Sequence, residues 1–347
     1  MSTISKSISP QLHHLITKMP KAELHIHIEG SLEPELIFEL AQRNQIKLPF
    51  DSVASLRDAY AFKDLQSFLD IYYAGASVLL HEQDFYDMTY AYLQKAAADG
   101  VVYAEIFFDP QTHTERGVSM QTVIQGLVRA CQEAADKLGI ESKLIMCFLR
   151  HLSQESAMQT LQAAEPFLEH LIGVGLDSSE LGHPPEKFVE VFKAARALGL
   201  KTVAHAGEEG PPAYIWSALD QLNVLRIDHG VQSIHDEDLI ARLAKERIAL
   251  TVCPLSNLKL CVYDDLAQHP IKRLLDMGVC VTINSDDPAY FGGYINANFL
   301  HTFAALDLDA KDAIAFAKCS FEASFMSDLQ KKAWCAKLED FAHALGV

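Results

Sequence analysis

Residues 22–28 of the chain read AELHIHI, an apolar run that carries two histidines one residue apart. Successive side chains of a β-strand point to opposite faces, so His25 and His27 lie on the same face and are aimed at the same point. The run therefore predicts a buried strand whose two imidazoles share a partner. Which fold this strand belongs to depends on how often the apolar pattern recurs.

Similar apolar runs, rich in Val, Ile and Leu, recur along the chain between segments of helical periodicity. The eight predicted strands are 22–28, 101–108, 143–149, 172–176, 201–206, 224–229, 248–253 and 279–284. The helical patterns that separate them are 83–98, 120–138, 155–169, 185–198, 213–222, 236–246 and 270–277. Alternation of this kind predicts an α/β protein, a (β/α)8 TIM barrel. A doubly wound open sheet is the alternative, because alternation alone does not establish closure.

The chain is predicted to form one domain over residues 1–347, because no Pro/Gly/Ser-rich linker, repeat or low-complexity tract divides it. Residues 1–19 are expected to be a lead-in, and two or three helices are expected from Asn298 onwards. The stretch 32–100 is longer than one crossover helix requires, so it predicts extra helices above the barrel mouth. Four apolar residues in it share a helical face, which packs on the core or covers a pocket as a lid. They are Leu65, Phe68, Leu69 and Tyr72.

The composition narrows the range of partners. With 29 basic and 46 acidic residues the formal charge is −17, which argues against nucleic acid or an anionic membrane as partner. The 7 cysteines include no CxxC pair, a usage typical of a reducing compartment. Neither a secretory signal nor a run near the roughly 18 apolar residues of a membrane span is found. We therefore expect a cytoplasmic protein that binds a small ligand and that could form a homo-oligomer.

The active site of such a barrel lies at the C-terminal ends of the strands, so polar residues at those ends are the functional candidates. They are His25, His27, Glu105, Asp109, Arg150, His151, Asp177, Glu180, His205, Glu208, Asp228, His229, Ser256, Asn257, Ser285, Asp286 and Asp287. Neutral imidazoles and a carboxylate suit a borderline cation such as zinc, and a catalytic site leaves one position open for water. The candidate ligands for one Zn²⁺ per chain are His25, His27, His205 and Asp286. For any single histidine, a hydrogen-bonded core residue is the alternative.

Three further residues could move protons or bind substrate. Glu208 follows His205 in HAGEEG and can reach over the metal without binding it, and His229 in RIDHG can face a metal-bound water. Zinc lowers the pKa of bound water to about 7, and a carboxyl group in a dry pocket can stay protonated as a general acid. Asp287, beside Asp286, could bind a substrate N–H. The structural alternatives are a solvated loop acid, a histidine bonded to a carbonyl group and a helix N-cap.

With these residues assembled, the chain resembles the adenosine/adenine deaminase family of the amidohydrolase superfamily. The resemblance runs from about Pro20 to the last helices and is carried by PKAELHIHIEGS, HAGEEG, RIDHG, CPLSN and INSDDPAYFGG. It implies hydrolytic deamination of a purine, with the four candidate ligands on zinc and the apolar helical face as the lid. Glu208 would donate a proton to the ring, and His229 would position and deprotonate the zinc water. Asp287 would hydrogen-bond the imidazole-ring nitrogen beside the amino group.

Three departures from the adenosine-specific pattern concern the substrate. Family members that take the nucleoside usually have Gly, Asp and an Ala-Gly pair where this chain has Asp228, Glu29 and Ser179-Glu180. We expect the larger side chains to stand where a sugar needs room. This pattern resembles the adenine deaminases and favours free adenine, converted to hypoxanthine in purine salvage. N6-substituted adenines, adenosine, a phosphoesterase that also begins with HxH and a non-catalytic relative are the alternatives.

Overall fold

The computed structural model describes residues 8–347 and contains eight parallel strands in chain order around one sheet. They are β1 (Lys21–His27), β2 (Val101–Phe108), β3 (Glu141–Leu149), β4 (Leu171–Asp177), β5 (Lys201–Ala206), β6 (Arg226–His229), β7 (Ala249–Val252) and β8 (Val281–Ile283). Just beyond β8, the backbone of Asp286 pairs with Ile26 of β1. The His27 N–H donates to the Asp286 carbonyl at 2.9 Å, which joins the last strand to the first. The predicted (β/α)8 barrel is therefore confirmed.

Helices cover the outside of the barrel and extend the chain at both ends. They are α1 (Pro10–Lys18), α2 (Pro34–Arg43), α3 (Val53–Asp58), α4 (Leu65–Ala76), α5 (Glu82–Ala98), α6 (Pro110–Thr114), α7 (Met120–Leu138), α8 (Gln154–Ala164), α9 (Val189–Ala197), α10 (Pro212–Ser217), α11 (Glu237–Glu246), α12 (Pro254–Lys259), α13 (Ile271–Asp276), α14 (Pro288–Phe291), α15 (Ile295–Leu306), α16 (Ala310–Ala323) and α17 (Asp328–Ala344). Within residues 8–347, no helix combines the length and the apolar character needed to cross a bilayer.

Local chemistry explains where α7 begins and ends and where α8 ends. The Ser119 side chain accepts a hydrogen bond from the Thr122 N–H at the start of α7, and Gly139, with φ of 69°, follows its end. The predicted helix 155–169 is wrong beyond Ala164, because Pro166 has no N–H and the chain continues as a 3₁₀ turn. Apolar periodicity locates a helix but does not distinguish its hydrogen-bonding pattern.

The long connection between β1 and β2 contains α2, α3 and α4 before the crossover helix α5, which packs against α7 outside the barrel. Helix α4 begins with a capping box, in which the side chains of Asp64 and Ser67 each accept from the backbone N–H of the other. At the N-terminus α1 lies within the expected lead-in, of which residues 1–7 are outside the described residues. After β8 the three long helices are α15, α16 and α17.

A buried ion pair lies inside the barrel, beneath the mouth. The Arg226 guanidinium donates to Glu105 at 2.5 Å and to the Leu24 carbonyl at 3.1 Å, and both charged side chains are fully buried. Glu105 was a candidate for the mouth, but its carboxylate instead neutralises Arg226 within the core. A charge in the low-dielectric interior is tolerated only when it is paired and hydrogen-bonded.

Replacing Glu105 with glutamine is expected to lower the free energy of unfolding by about 3–5 kcal/mol, because the Arg226 charge stays buried without its partner. Urea denaturation followed by circular dichroism measures the loss. The matched control is Glu82→Gln, which breaks an ion pair with Arg129 at the surface. That change is expected to cost less than about 1 kcal/mol. Equal losses for the two variants would contradict this account of Glu105.

Candidate active site

Three strands end at the mouth in an unusual backbone conformation. Asp286 after β8, His229 at the end of β6 and Ser178 after β4 have φ values of 63°, 61° and 74°. Residues with side chains rarely adopt this left-handed region, and such conformations cluster at functional sites. The chain therefore turns sharply at the points where the predicted functional side chains leave the barrel wall.

His25 is oriented by the neighbouring strand β7. Its Nδ1 lies 3.2 Å from the Thr251 carbonyl oxygen, which can only accept, so Nδ1 carries the proton. Its Nε2 presents a lone pair and lies 3.1 Å from Asp286 Oδ1. This Nε2 atom is buried and has no hydrogen-bond donor. The ring is held in the tautomer that a metal ligand requires.

The other two candidate imidazole ligands are arranged in the same way. His27 Nδ1 faces Asp177 Oδ2 at 3.4 Å, and His205 Nδ1 faces Asp228 Oδ2 at 3.7 Å. Their two Nε2 atoms lie 3.1 Å from each other. Each ring therefore turns Nδ1 towards an acidic oxygen and Nε2 towards its neighbour, an arrangement that places two lone pairs face to face. A cation between them removes that repulsion.

The distances among these atoms fit one divalent cation. Ligands about 2.0–2.1 Å from a tetrahedral zinc ion stand roughly 3.3 Å from one another. His27 Nε2 lies 3.5 Å from Asp286 Oδ1, and the His25–Asp286 and His27–His205 separations are 3.1 Å. Three imidazole nitrogens and one carboxylate also form a donor set that suits zinc. The chain thus contains a His/Asp cluster able to bind a metal ion.

His229 lies against the same cluster. Its Nε2 is 3.7 Å from Asp286 Oδ2 and 3.5 Å from Glu208 Oε2. His229 also belongs to a group of four residues whose possible ligand atoms all lie within 4.8 Å of one another. The four residues are His25, His205, His229 and Asp286. The Asn257 amide nitrogen lies 3.5 Å from His229 Nδ1 and holds the other edge of the ring. By distance alone, His229 could be a ligand or a group beside the open position.

Burial sets the protonation of the site. It lowers the pKa values of His27 and His229 to about 3, so both imidazoles are neutral at pH 7. Burial opposes ionisation of Asp286, but His25 and His229 hold its pKa well below the usual range. Burial, and then the charge of Asp286, raises the pKa values of Glu208 and Asp287 well above theirs. Asp286 therefore favours the ionised form, whereas burial favours the protonated form of Glu208 and Asp287, and also of Asp109 and Asp177 in the same pocket.

The loop that carries Glu208 is held by the carboxylate of Glu180. The four backbone N–H groups of residues 207–210 donate to the two Glu180 oxygens over 2.7–3.1 Å. Glu208 Oε1 is buried and has no hydrogen-bond partner. Because the backbone is fixed and this oxygen is free, the Glu208 carboxyl group is available to a ligand in the pocket.

Helix α4 covers the mouth with the apolar face that the sequence indicated. Residues of α4, together with Leu260 after α12 and Phe291 of α14, line the cavity that also contains the polar cluster. They are Leu65, Phe68, Leu69, Tyr72, Leu260 and Phe291. The Phe68 and Phe291 rings lie 4.6 Å apart, centroid to centroid. The structure thus places this face over the pocket as a lid.

The residues expected to exclude a sugar do not line the pocket. Asp228 lies beneath the site and accepts a hydrogen bond from Thr251 Oγ1 at 2.8 Å. Glu29 accepts from His113 Nε2 at 2.8 Å, and Glu180 binds the loop at 207–210. The expectation that these carboxylates stand in the space of a sugar is therefore wrong. They brace the walls of the pocket instead.

Two strand-end candidates have structural contacts instead. Arg150 Nη1 donates to the His205 carbonyl at 2.7 Å, and Ser285 Oγ donates to Glu23 at 2.5 Å.

In contrast, Tyr73 lines the pocket and was missed, because it lies one position from the apolar stripe of α4. Its hydroxyl lies 3.0 Å from Ser178 Oγ at the rim. Its position in the sequence, as a polar aromatic residue next to a predicted lid residue, could have indicated that it lines the pocket.

Comparisons with known proteins agree with this geometry. The adenosine deaminase family model matches residues 20–341. Adenine deaminase of Paraburkholderia phytofirmans is 65% identical over 331 residues, 94% of each chain, and that of Albidiferax ferrireducens is 62% identical over 336 residues, 97% of each. The chain spans nearly the whole length of both relatives.

Two solved structures share the fold over nearly the whole chain. The adenine deaminase of Arthrobacter aurescens is 47% identical with a TM-score of 0.92, and the match covers 94% of this chain and 99% of that one. An amidohydrolase of Burkholderia ambifaria with bound Zn is 26% identical with a TM-score of 0.89, covering 98% and 96%. The resemblance inferred from the motifs is confirmed, and the chain belongs to the adenosine deaminase family.

Proposed function

We propose that the chain catalyses the hydrolytic deamination of free adenine to hypoxanthine and ammonia, with one zinc ion per chain. The observation that carries this proposal is the convergence of three imidazoles and an aspartate beside a buried, unpartnered Glu208 carboxyl group. The adenine deaminases that are 62–65% identical to this chain support the choice of substrate.

The metal would be held by the Nε2 atoms of His25, His27 and His205 together with Asp286. A bound zinc ion would lower the pKa of a water molecule to about 7 and so supply a nucleophile at neutral pH. The donor set and its spacing support zinc, as does the zinc bound in the amidohydrolase of similar fold. Asp177 and the Thr251 carbonyl keep the ligand lone pairs aimed at the ion by facing Nδ1 of His27 and His25.

Glu208 is the proton donor in this proposal. Burial, and then the charge of Asp286, raises the pKa of its carboxyl group and so favours the protonated form, and Oε1 has no competing partner in the protein. Donation to the ring nitrogen next to the amino-bearing carbon makes that carbon more electrophilic. The four N–H groups that bind Glu180 keep the donor in place through the reaction.

His229 and Asp287 complete the polar side of the pocket. His229 Nε2 lies between Glu208 and Asp286, where it can position the attacking water, take up its proton and stabilise charge on the oxygen. Burial, and then the charge of Asp286, raises the pKa of Asp287, which favours the protonated form that can donate to the imidazole-ring nitrogen beside the amino group. Helix α4 keeps solvent out, which preserves the protonated state of both carboxyl groups.

The direct test is to incubate the zinc-loaded protein separately with adenine, adenosine and N6-methyladenine. Loss of the substrate absorbance and release of ammonia or methylamine measure turnover. We expect the highest kcat/KM with adenine. A higher value with adenosine or N6-methyladenine would overturn the substrate proposal, and no turnover of any of the three would overturn the proposed activity.

We also propose that the reaction serves purine salvage in the cytoplasm. The product would be another free purine base, which a salvage reaction can attach to a sugar phosphate. All seven cysteines lie in the described part of the chain and are unpaired, which supports a reducing compartment. Self-association of the chain remains a proposal, which sedimentation of the purified protein would test.

A further inference from the structure

Two acids in the pocket have no assigned role towards the substrate. Asp109 follows β2 and Asp177 ends β4, and both line the cavity that contains Glu208 and Asp287. Their exposed fractions are 3% and 2%. Two carboxyl groups withdrawn from water in this way need hydrogen-bond donors.

The protein supplies little to these two groups. Asp109 Oδ2 accepts from the Tyr72 hydroxyl at 3.2 Å. Asp109 and Asp177 lie close enough to share a proton, but no N–H or hydroxyl group of the protein donates to Asp109 Oδ1 or to either oxygen of Asp177. The approach of His27 Nδ1 to Asp177 at 3.4 Å is longer than an ordinary N–H···O bond. One proton shared between the two acids still leaves buried acceptor oxygens in the pocket without a donor. Buried acceptors in a binding pocket are commonly satisfied by a donor on the ligand.

The position of the two acids indicates which part of a ligand they meet. The metal cluster lies at Nε2 of His27, and Asp177 lies at Nδ1, on the far side of the same ring. With the amino-bearing carbon of a purine at the metal, its imidazole ring extends away from the cluster. Asp287 is assigned to the imidazole nitrogen beside the amino group. In that pose the other imidazole nitrogen would lie on the side of the pocket that Asp109 and Asp177 line.

We propose that Asp109 and Asp177 accept the hydrogen bond of the imidazole-ring N–H of the free base and thereby select the base over the nucleoside. The inference rests on the proposed function. In a nucleoside this nitrogen carries the sugar and has no hydrogen, so binding would leave the remaining acceptor oxygens of Asp109 and Asp177 buried without a donor. A site built to bind a substrate N–H rejects analogues that lack it by large factors. Selection thus depends on a missing donor as well as on the size of the sugar.

The test compares adenine with 9-methyladenine, which has a methyl group where the sugar is attached and no hydrogen on that nitrogen. In the zinc-loaded wild type, we expect kcat/KM for adenine to exceed that for 9-methyladenine by about 10³-fold or more. In Asp109→Asn and Asp177→Asn, kcat/KM for adenine is expected to fall about 10- to 100-fold, with much less change for 9-methyladenine. The ratio between the substrates therefore falls in the variants.

Asparagine has the size of aspartate, so these substitutions replace one carboxyl oxygen with an amide NH₂, which can only donate, without opening space. If steric exclusion alone selects the base, the ratio stays at its wild-type value and the proposal is overturned. Equal use of both substrates by the wild type would overturn it without any variant. Asp220→Asn is the matched control, because the Asp220 carboxylate pairs with Arg242 at the surface. It should retain the wild-type ratio.

A binding measurement separates recognition from chemistry. Calorimetry should show that hypoxanthine binds the wild type more tightly than 9-methylhypoxanthine, and that Asp109→Asn reduces this preference about 10-fold or more. An unchanged preference in a folded variant would overturn the proposal.

Zinc content is measured for Asp177→Asn, because Asp177 also faces His27. If the wild type does not deaminate adenine, the proposed function fails, whereas turnover of adenine with unchanged ratios in both variants rejects only this inference.

Discussion

Replacing His27 or His205 with alanine is expected to abolish stoichiometric zinc binding and to lower kcat/KM for adenine by at least about 10³-fold. The two Nε2 atoms lie 3.1 Å apart and face each other, so each variant removes one wall of the cluster. Without the ion, no group described in the pocket brings the pKa of water from about 15.7 to about 7. Zinc per chain after dialysis, measured by emission spectroscopy, and initial rates with adenine check both parts.

The informative control is His229→Ala. His229 lies within reach of the same atoms, 3.7 Å from Asp286 Oδ2, but it is assigned to the water and not to the metal. We expect this variant to keep about one zinc ion per chain and to lose most of its activity. If His229→Ala loses the metal while His27→Ala retains it, the ligand set must be redrawn with His229 in place of His27.

Replacing Glu208 with glutamine is expected to lower kcat for adenine by about 10²- to 10⁴-fold while zinc remains bound. Glutamine preserves the shape of the side chain and can still donate a hydrogen bond, but it cannot transfer a proton to the ring. Burial, and then the charge of Asp286, raises the pKa of Glu208, which favours the protonated form of the wild-type carboxyl group. Single-turnover rates and metal content, measured on the same preparation, separate loss of chemistry from loss of the ion.

Glu209→Gln is the matched control for this substitution. It changes the same residue type one position along the loop, and its side chain does not line the pocket. Glu209 is half-buried, and its carboxyl group accepts from the Leu65 N–H at the start of α4. We expect its kcat to stay within about twofold of the wild type, because glutamine keeps an acceptor oxygen for that N–H. A comparable loss in both variants would mean that the loop conformation, and not the Glu208 proton, limits the rate.

Much of the fold and of the candidate cluster was predictable because short-range periodicity maps onto barrel geometry. The two-residue spacing of His25 and His27 puts both rings on one face of β1. The C-terminal ends of parallel strands in a closed barrel meet at one mouth, so His205 and Asp286 could be placed beside them from strand positions alone. The apolar face of α4 was also predictable from the sequence. Its pattern did not distinguish a helix packed on the core from a lid over the pocket, because both bury the same apolar face.

The sequence by itself determined the alternation of strands and helices, the polar residues at the strand ends and the family motifs. Only the tertiary structure decided what each carboxylate faces: Glu180 binds four N–H groups, Asp228 lies beneath His205, and Asp109 and Asp177 lie side by side with buried oxygens open to the pocket. The physical reason is that strand period specifies the face on which a side chain emerges. The hydrogen-bond partners of that side chain come from segments distant in the chain. Burial by those segments determines whether its polar atoms find partners and how far its pKa shifts.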